Sequence, residues 1–121
     1  MSILLACLSS GKGSWNHVNK LISQESWEKI YLITNSFGKE NFTVPEGKPI
    51  ELIVVDLRNN DLEILRDEIK EKLKDKINDT EIAVNLVSGT GPEHMAILAA
   101  ILKIGVGMRF VISSEKNFKE I

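Results

Sequence analysis

The chain has 121 residues, 43% of them hydrophobic and 26% charged, with a formal net charge of −2. That length supports one domain with one proper core, and the slight acidity excludes a dedicated coat for long nucleic acid, which is normally basic. The single cysteine, Cys7, excludes a disulfide framework and points to a reducing, cytoplasmic setting.

Ser2–Leu8 is an apolar run that predicts a buried strand, with Cys7 as a small core residue. Met1–Leu8 lacks a basic leader and is too short for a signal peptide or a membrane span. A polar loop, Ser9 to Ser14, leads into a helix from Trp15 to Gln24 with Trp15, Val18, Leu21 and Ile22 inward. Lys29–Thr34 is a second strand. Gly38, Pro45 and Gly47 make the next crossover a loop with at most a short helix. Ile50–Asp56 is a third strand. From Asp61 to Ile77 an amphipathic helix carries Leu62, Leu65, Ile69, Leu73 and Ile77 on one stripe, with Asp67–Lys70 and Glu68–Lys72 at pairing distance outside. Glu81–Val87 is the fourth strand, Pro92–Ile104 the last helix and Met108–Ser113 the fifth strand; the polar tail after Ser114 reads as frayed.

Apolar strands alternating with helices predict an α/β domain: a Rossmann-like, doubly wound, mainly parallel five-stranded sheet with helices on both faces. Between Met95 and Ile104 only Lys103 is charged. A helix apolar all round needs cover all round. The simplest cover is a second copy of the chain across a two-fold axis, and the alternative is the tail folding back.

Familiar motifs fail. Gly11-Lys12 suggests a P-loop, but Ala6 stands where the first glycine belongs and Gly13 replaces the Ser or Thr that holds magnesium. A dinucleotide fingerprint lacks its third glycine, the position being Asn16. No Cys/His spacing resembles a zinc site, so neither metal nor cofactor is expected. What remains is two polar loops, Ser9–Ser14 and Ser88–Glu93, the second closed by Pro92 in a first helical turn. At the switch point of such a sheet they should face one another across one crevice. Its backbone N–H groups, with Ser88, Gly89, Thr90 and Gly91, would receive a polar or anionic ligand. Lys12 would offer charge to a phosphate, Ser10 and Thr90 hydroxyls, and Trp15 a stacking face, unless Trp15 is core. His94, in the first turn of the last helix, is disfavoured from protonation by the helix dipole and is the candidate base, or else merely completes an interface. His17 reads as solvent-facing.

The segment VNLVSGTGPEHMAILAA (Val84–Ala100), with LSSGKGSW (Leu8–Trp15), resembles the CARF family, the Rossmann-fold sensors associated with CRISPR antiviral defence. Residues 1–121 then form one stand-alone CARF-like domain. The resemblance implies a homodimer that binds cyclic oligoadenylate across its two-fold axis, with Ser10, Gly11, Gly89, Thr90 and Met95 at ligand-loop positions; Ser9, at the start of the first loop, is a further ligand-binding candidate. Many members carry a lysine after the Gly-Thr pair; here Gly91, Pro92, Glu93 and His94 follow. A stand-alone copy is similar to the ring nucleases of the family, in which a ribose 2′-OH attacks the adjacent phosphate without a metal. Lys12 would then shield phosphate charge and His94 would move the proton. Binding without cleavage stays open beside this. So do an interaction module that docks its apolar helix on a partner protein and takes no nucleotide, and an enzyme for another phosphorylated small molecule.

Overall fold

The computed structural model describes residues 2–9 and 11–121. Strands β1 (Ile3–Leu8), β2 (Lys29–Thr34), β3 (Ile50–Val54), β4 (Glu81–Asn85) and β5 (Gly107–Ser113) pair in parallel, and β6 (Phe118–Glu120) joins antiparallel. The spatial order is β3-β2-β1-β4-β5-β6. Helices α1 (Trp15–Ser23), α2 (Ser36–Asn41), α3 (Leu62–Leu73) and α4 (Gly91–Ile104) lie between successive strands.

β1 is central because every one of its side chains is apolar and buried. Successive side chains of a strand point to opposite faces. Leu4, Ala6 and Leu8 therefore meet Val18, Leu21 and Ile22 of α1, while Ile3, Leu5 and Cys7 meet Leu65, Ile69 and Leu73 of α3 and Ile97 and Ile101 of α4. α1 thus packs against one set of β1 side chains and α3 with α4 against the other. Each fully buried Leu or Ile side chain contributes roughly 1.5–3 kcal/mol, so this two-sided strand anchors the domain. Asp61 starts α3 by accepting the Glu63 and Ile64 N–H groups. Gly105, at φ +91°, ends α4 in the left-handed conformation that glycine adopts without penalty. On α3 the Glu68–Lys72 pair forms at 3.9 Å, but Asp67 pairs with Arg66 at 2.9 Å rather than with Lys70. Such exposed pairs contribute little.

The sheet has six strands, not five, because the tail is not frayed. Ser114 N–H donates to the Asn117 carbonyl and closes a turn, after which β6 pairs with β5 through Val111–Glu120, Ile112–Lys119 and Ser113–Phe118. Phe118 packs on Trp27 with ring centroids 5.2 Å apart. One aromatic ring supplies the apolar anchor that a polar stretch otherwise lacks. The tail consequently packs on the α1 side and leaves α4 uncovered: Met95 is 64% and Leu102 67% exposed. Among the described residues no helix is long and apolar enough to cross a membrane.

If β6 is docked through Phe118, Phe118→Ala should cost about 1–2 kcal/mol in denaturant unfolding, below the ~3–5 of a wholly buried Phe. Lys119→Ala, on the same strand, should change stability by less than about 0.5 kcal/mol. Equal, negligible effects would mean an undocked tail.

Candidate functional site

The strand order reverses between β1 and β4, so the loops that leave their carboxyl ends diverge toward opposite faces and open a crevice. The two predicted loops do meet here. Ser9 N–H donates to Ser88 Oγ at 3.0 Å, and Ser9 Oγ donates to both oxygens of Glu93, at 3.0 and 3.2 Å. Thr90 N–H donates to Glu93 Oε1 at 2.9 Å, completing a capping box in which Glu93 N–H returns to Thr90 Oγ1. Glu93 is buried. A buried carboxylate is costly unless its lone pairs are used, and this one takes donors from both loops. It also sits in the first turn of α4, where the helix dipole favours negative charge.

Gly89, at φ +109°, lets the second loop pass over this bridge. A Cβ there would lie 2.8 Å from His94 Nε2 and 2.9 Å from both Cys7 Sγ and Glu93 Oε1. Only glycine fits. Burial, with the nearby Glu93 charge second, pushes the Cys7 thiol up to about 12, so it is an inert core group.

Above the bridge lies an open cleft of about 350 Å³, walled by Ser9, Gly11, Gly13, Ser14, Val87, Gly89 and Thr90. Of the sequence candidates, Ser9, Gly11, Gly89 and Thr90 therefore border it. Ser88 is buried and works as scaffold: its carbonyl accepts from His94 Nε2 at 2.7 Å. Because a carbonyl only accepts, Nε2 is the donor in this contact. Neither His94 nor Lys12 borders the cleft. Lys12 lies in a short 3-10 turn (Lys12–Ser14) with its ammonium 5.6 Å from the Phe37 ring centroid. Gly91 is the first residue of α4, and Met95 faces outward on the uncovered side of that helix. Ser10 lies outside the described residues.

Two expectations need correction. Trp15 offers no stacking face: it is buried, its Nε1 donates to Ser9 O at 2.8 Å, and its ring packs edge-on against Phe42 at 5.7 Å. Its position one residue into α1 turns it onto the sheet. His17 is not simply solvent-facing. Its Nε2 accepts Ser113 N–H at 3.3 Å and lies 3.2 Å from Asn85 Nδ2, whose other bond goes to Val111 O at 2.8 Å. The buried Asn85 amide thus replaces backbone pairing where β4 and β5 part, and its Oδ1 takes Val87 N–H at the start of the second loop. Gly13, Ser14 and Val87 also border the cleft; the sequence marks none of the three as a site residue, although all lie in or beside its two loops.

Among the described residues no cluster of three His, Cys, Asp or Glu side chains is arranged to hold a metal ion. No family model matches the chain, and no curated protein matches it.

Desolvation first, and the Lys20 charge second, lower the His17 pKa below its usual 6.5. The unfolded chain then binds a proton that the folded chain refuses, so stability is full above the unfolded value and falls as pH drops through it. Urea midpoints should decline from about pH 7 to about pH 5 more steeply in the natural chain than in His17→Gln, which cannot titrate. Parallel profiles would contradict the Nε2 acceptor role.

Proposed function

We propose that this chain is a CARF-like, Rossmann-like doubly wound domain that works as a homodimer and binds a cyclic oligoadenylate in the cleft between the β1 and β4 loops. The observation that carries this reading is the shared cleft itself. Two glycine-bearing loops from neighbouring strands are tied together at a reversal of strand order, and they leave backbone and hydroxyl groups of Gly11, Gly13, Ser14 and Thr90 around open space. Small-ligand pockets usually span roughly 300–1,000 Å³, and a cleft of about 350 Å³ suits one nucleotide unit rather than a ring.

A ring therefore calls for two clefts. Val87, 47% exposed, borders the cleft, and α4 leaves Met95 and Leu102 uncovered. A second copy seated on α4 would bury that side and bring its own cleft alongside. Phosphates would sit against the Gly11–Ser14 loop and Gly89, since Glu93 already occupies the start of α4. The reading is binding without cleavage, since the candidate base, His94, spends its Nε2 on the Ser88 carbonyl. The exposed α4 side alone supports the rival reading, a module that docks on another protein and takes no nucleotide.

Incubation with cyclic tri-, tetra- and hexa-adenylate, followed by size-exclusion chromatography and analysis of the bound fraction, tests the proposal. One ring size should co-elute intact with a dimer. Gly13→Glu, whose side chain enters open space, should abolish retention by charge repulsion and leave the unfolding midpoint unchanged. A monomer that retains none of the rings would overturn the proposal in favour of the docking module, and linear products would overturn binding without cleavage.

A further inference from the structure

Where β4 and β5 part, one imidazole nitrogen meets two hydrogen-bond donors. His17 Nε2, on α1, lies 3.3 Å from the Ser113 amide nitrogen and 3.2 Å from Asn85 Nδ2. The other two contacts of the Asn85 amide fix which way round it stands. The Val111 carbonyl, 2.8 Å from Nδ2, can only accept, and the Val87 N–H, 3.3 Å from Oδ1, can only donate. Nδ2 therefore turns its remaining hydrogen toward His17, and the Ser113 backbone supplies a second. Both need the Nε2 lone pair, so the neutral ring carries its proton on Nδ1. The stability profile of His17 reads this ring alone. Its partner Asn85 has a further reach, because Val87, which Asn85 Oδ1 holds, is a wall of the β1–β4 cleft.

Protonation at Nε2 removes the lone pair and sets a third N–H against the two already there. Asn85 is buried, so its amide finds no water to replace the lost contact. Turning the amide over would offer Oδ1 to the imidazolium, but it would also set Nδ2 against the Val87 N–H and Oδ1 against the Val111 carbonyl. The side chain that positions Val87 thus either loses one of its three contacts or turns over. Charge around the ring favours the neutral form. Lys20, one turn along α1, acts on His17, whereas β4 and β5 bring only the uncharged Asn85, Val111 and Ser113 to that junction. Glu115 and Lys116, in the turn after β5, do not move its pKa. We propose that His17 is a pH-sensitive latch on the cleft: neutral, it holds Asn85 in the orientation that captures Val87, and protonated, it releases the start of the β4 loop. The latch acts on the shape of the cleft wall and is independent of which ligand the cleft takes.

A pH titration followed in nitrogen–proton spectra, with no ligand added, tests the latch. The His17 ring should titrate with a midpoint below 6.5, and the Val87 and Ser113 amide resonances should move with that same midpoint. In His17→Gln, whose side-chain oxygen still accepts but cannot titrate, both amides should stay fixed. In Asn85→Ala, Ser113 alone should follow the ring. Unfolding midpoints check that the variants fold, and His17→Gln decides the matter by itself if Asn85→Ala does not. A Val87 amide that stays fixed while Ser113 follows the ring would overturn the latch, since the ring then leaves its partners without moving the loop. Movement of Val87 that persists in His17→Gln would overturn it too, and would belong to His94, whose Nε2 contacts the Ser88 carbonyl on the same loop. Either result would leave the function proposed above standing.

Discussion

One buried carboxylate holds the functional edge of this domain together. Glu93 takes both hydroxyl contacts of Ser9 and the Thr90 amide, and so fastens the β1 loop to the β4 loop. Desolvating a carboxylate costs several kcal/mol unless it is fully hydrogen-bonded, which makes the geometry of both loops interdependent. Gly89 is part of the same constraint, since its missing side chain leaves room for Glu93, Cys7 and His94 beneath the turn. Asn85, anchored to Val111 and Val87, fixes where that turn begins.

The bridge also decides where charge can go along the edge. An acid already capping α4 leaves the helix start a poor place for a second anion. α4, for its part, leaves Met95 and Leu102 open.

Much of the scaffold was legible in the sequence because it rests on contiguous patterns. β1 and β2 are unbroken apolar runs, and α3 carries its stripe at helical spacing, so their existence and order follow from local information. The meeting of the Ser9 and Ser88 loops follows from topology. What escaped depends on contacts between residues distant in the chain. β6 is held by Phe118 on Trp27, which no local pattern announces. The bridging role of Glu93 depends on Ser9, 84 residues away in the chain, and no local pattern announces it. Trp15 and Phe37 are neighbours in space, and only packing reveals which of the two is buried. His17 lies on a helix face whose exposure is set by β5, an element encoded at the other end of the chain.

A double-mutant cycle on Ser9→Ala and Glu93→Gln, measured by denaturant unfolding, tests the bridge most directly. The account predicts that each single substitution is destabilising and that the two are coupled by about 1–2 kcal/mol, the second costing far less once the first is made. Additivity within about 0.5 kcal/mol would show that the loops are not joined through Glu93, and the shared cleft would lose its foundation.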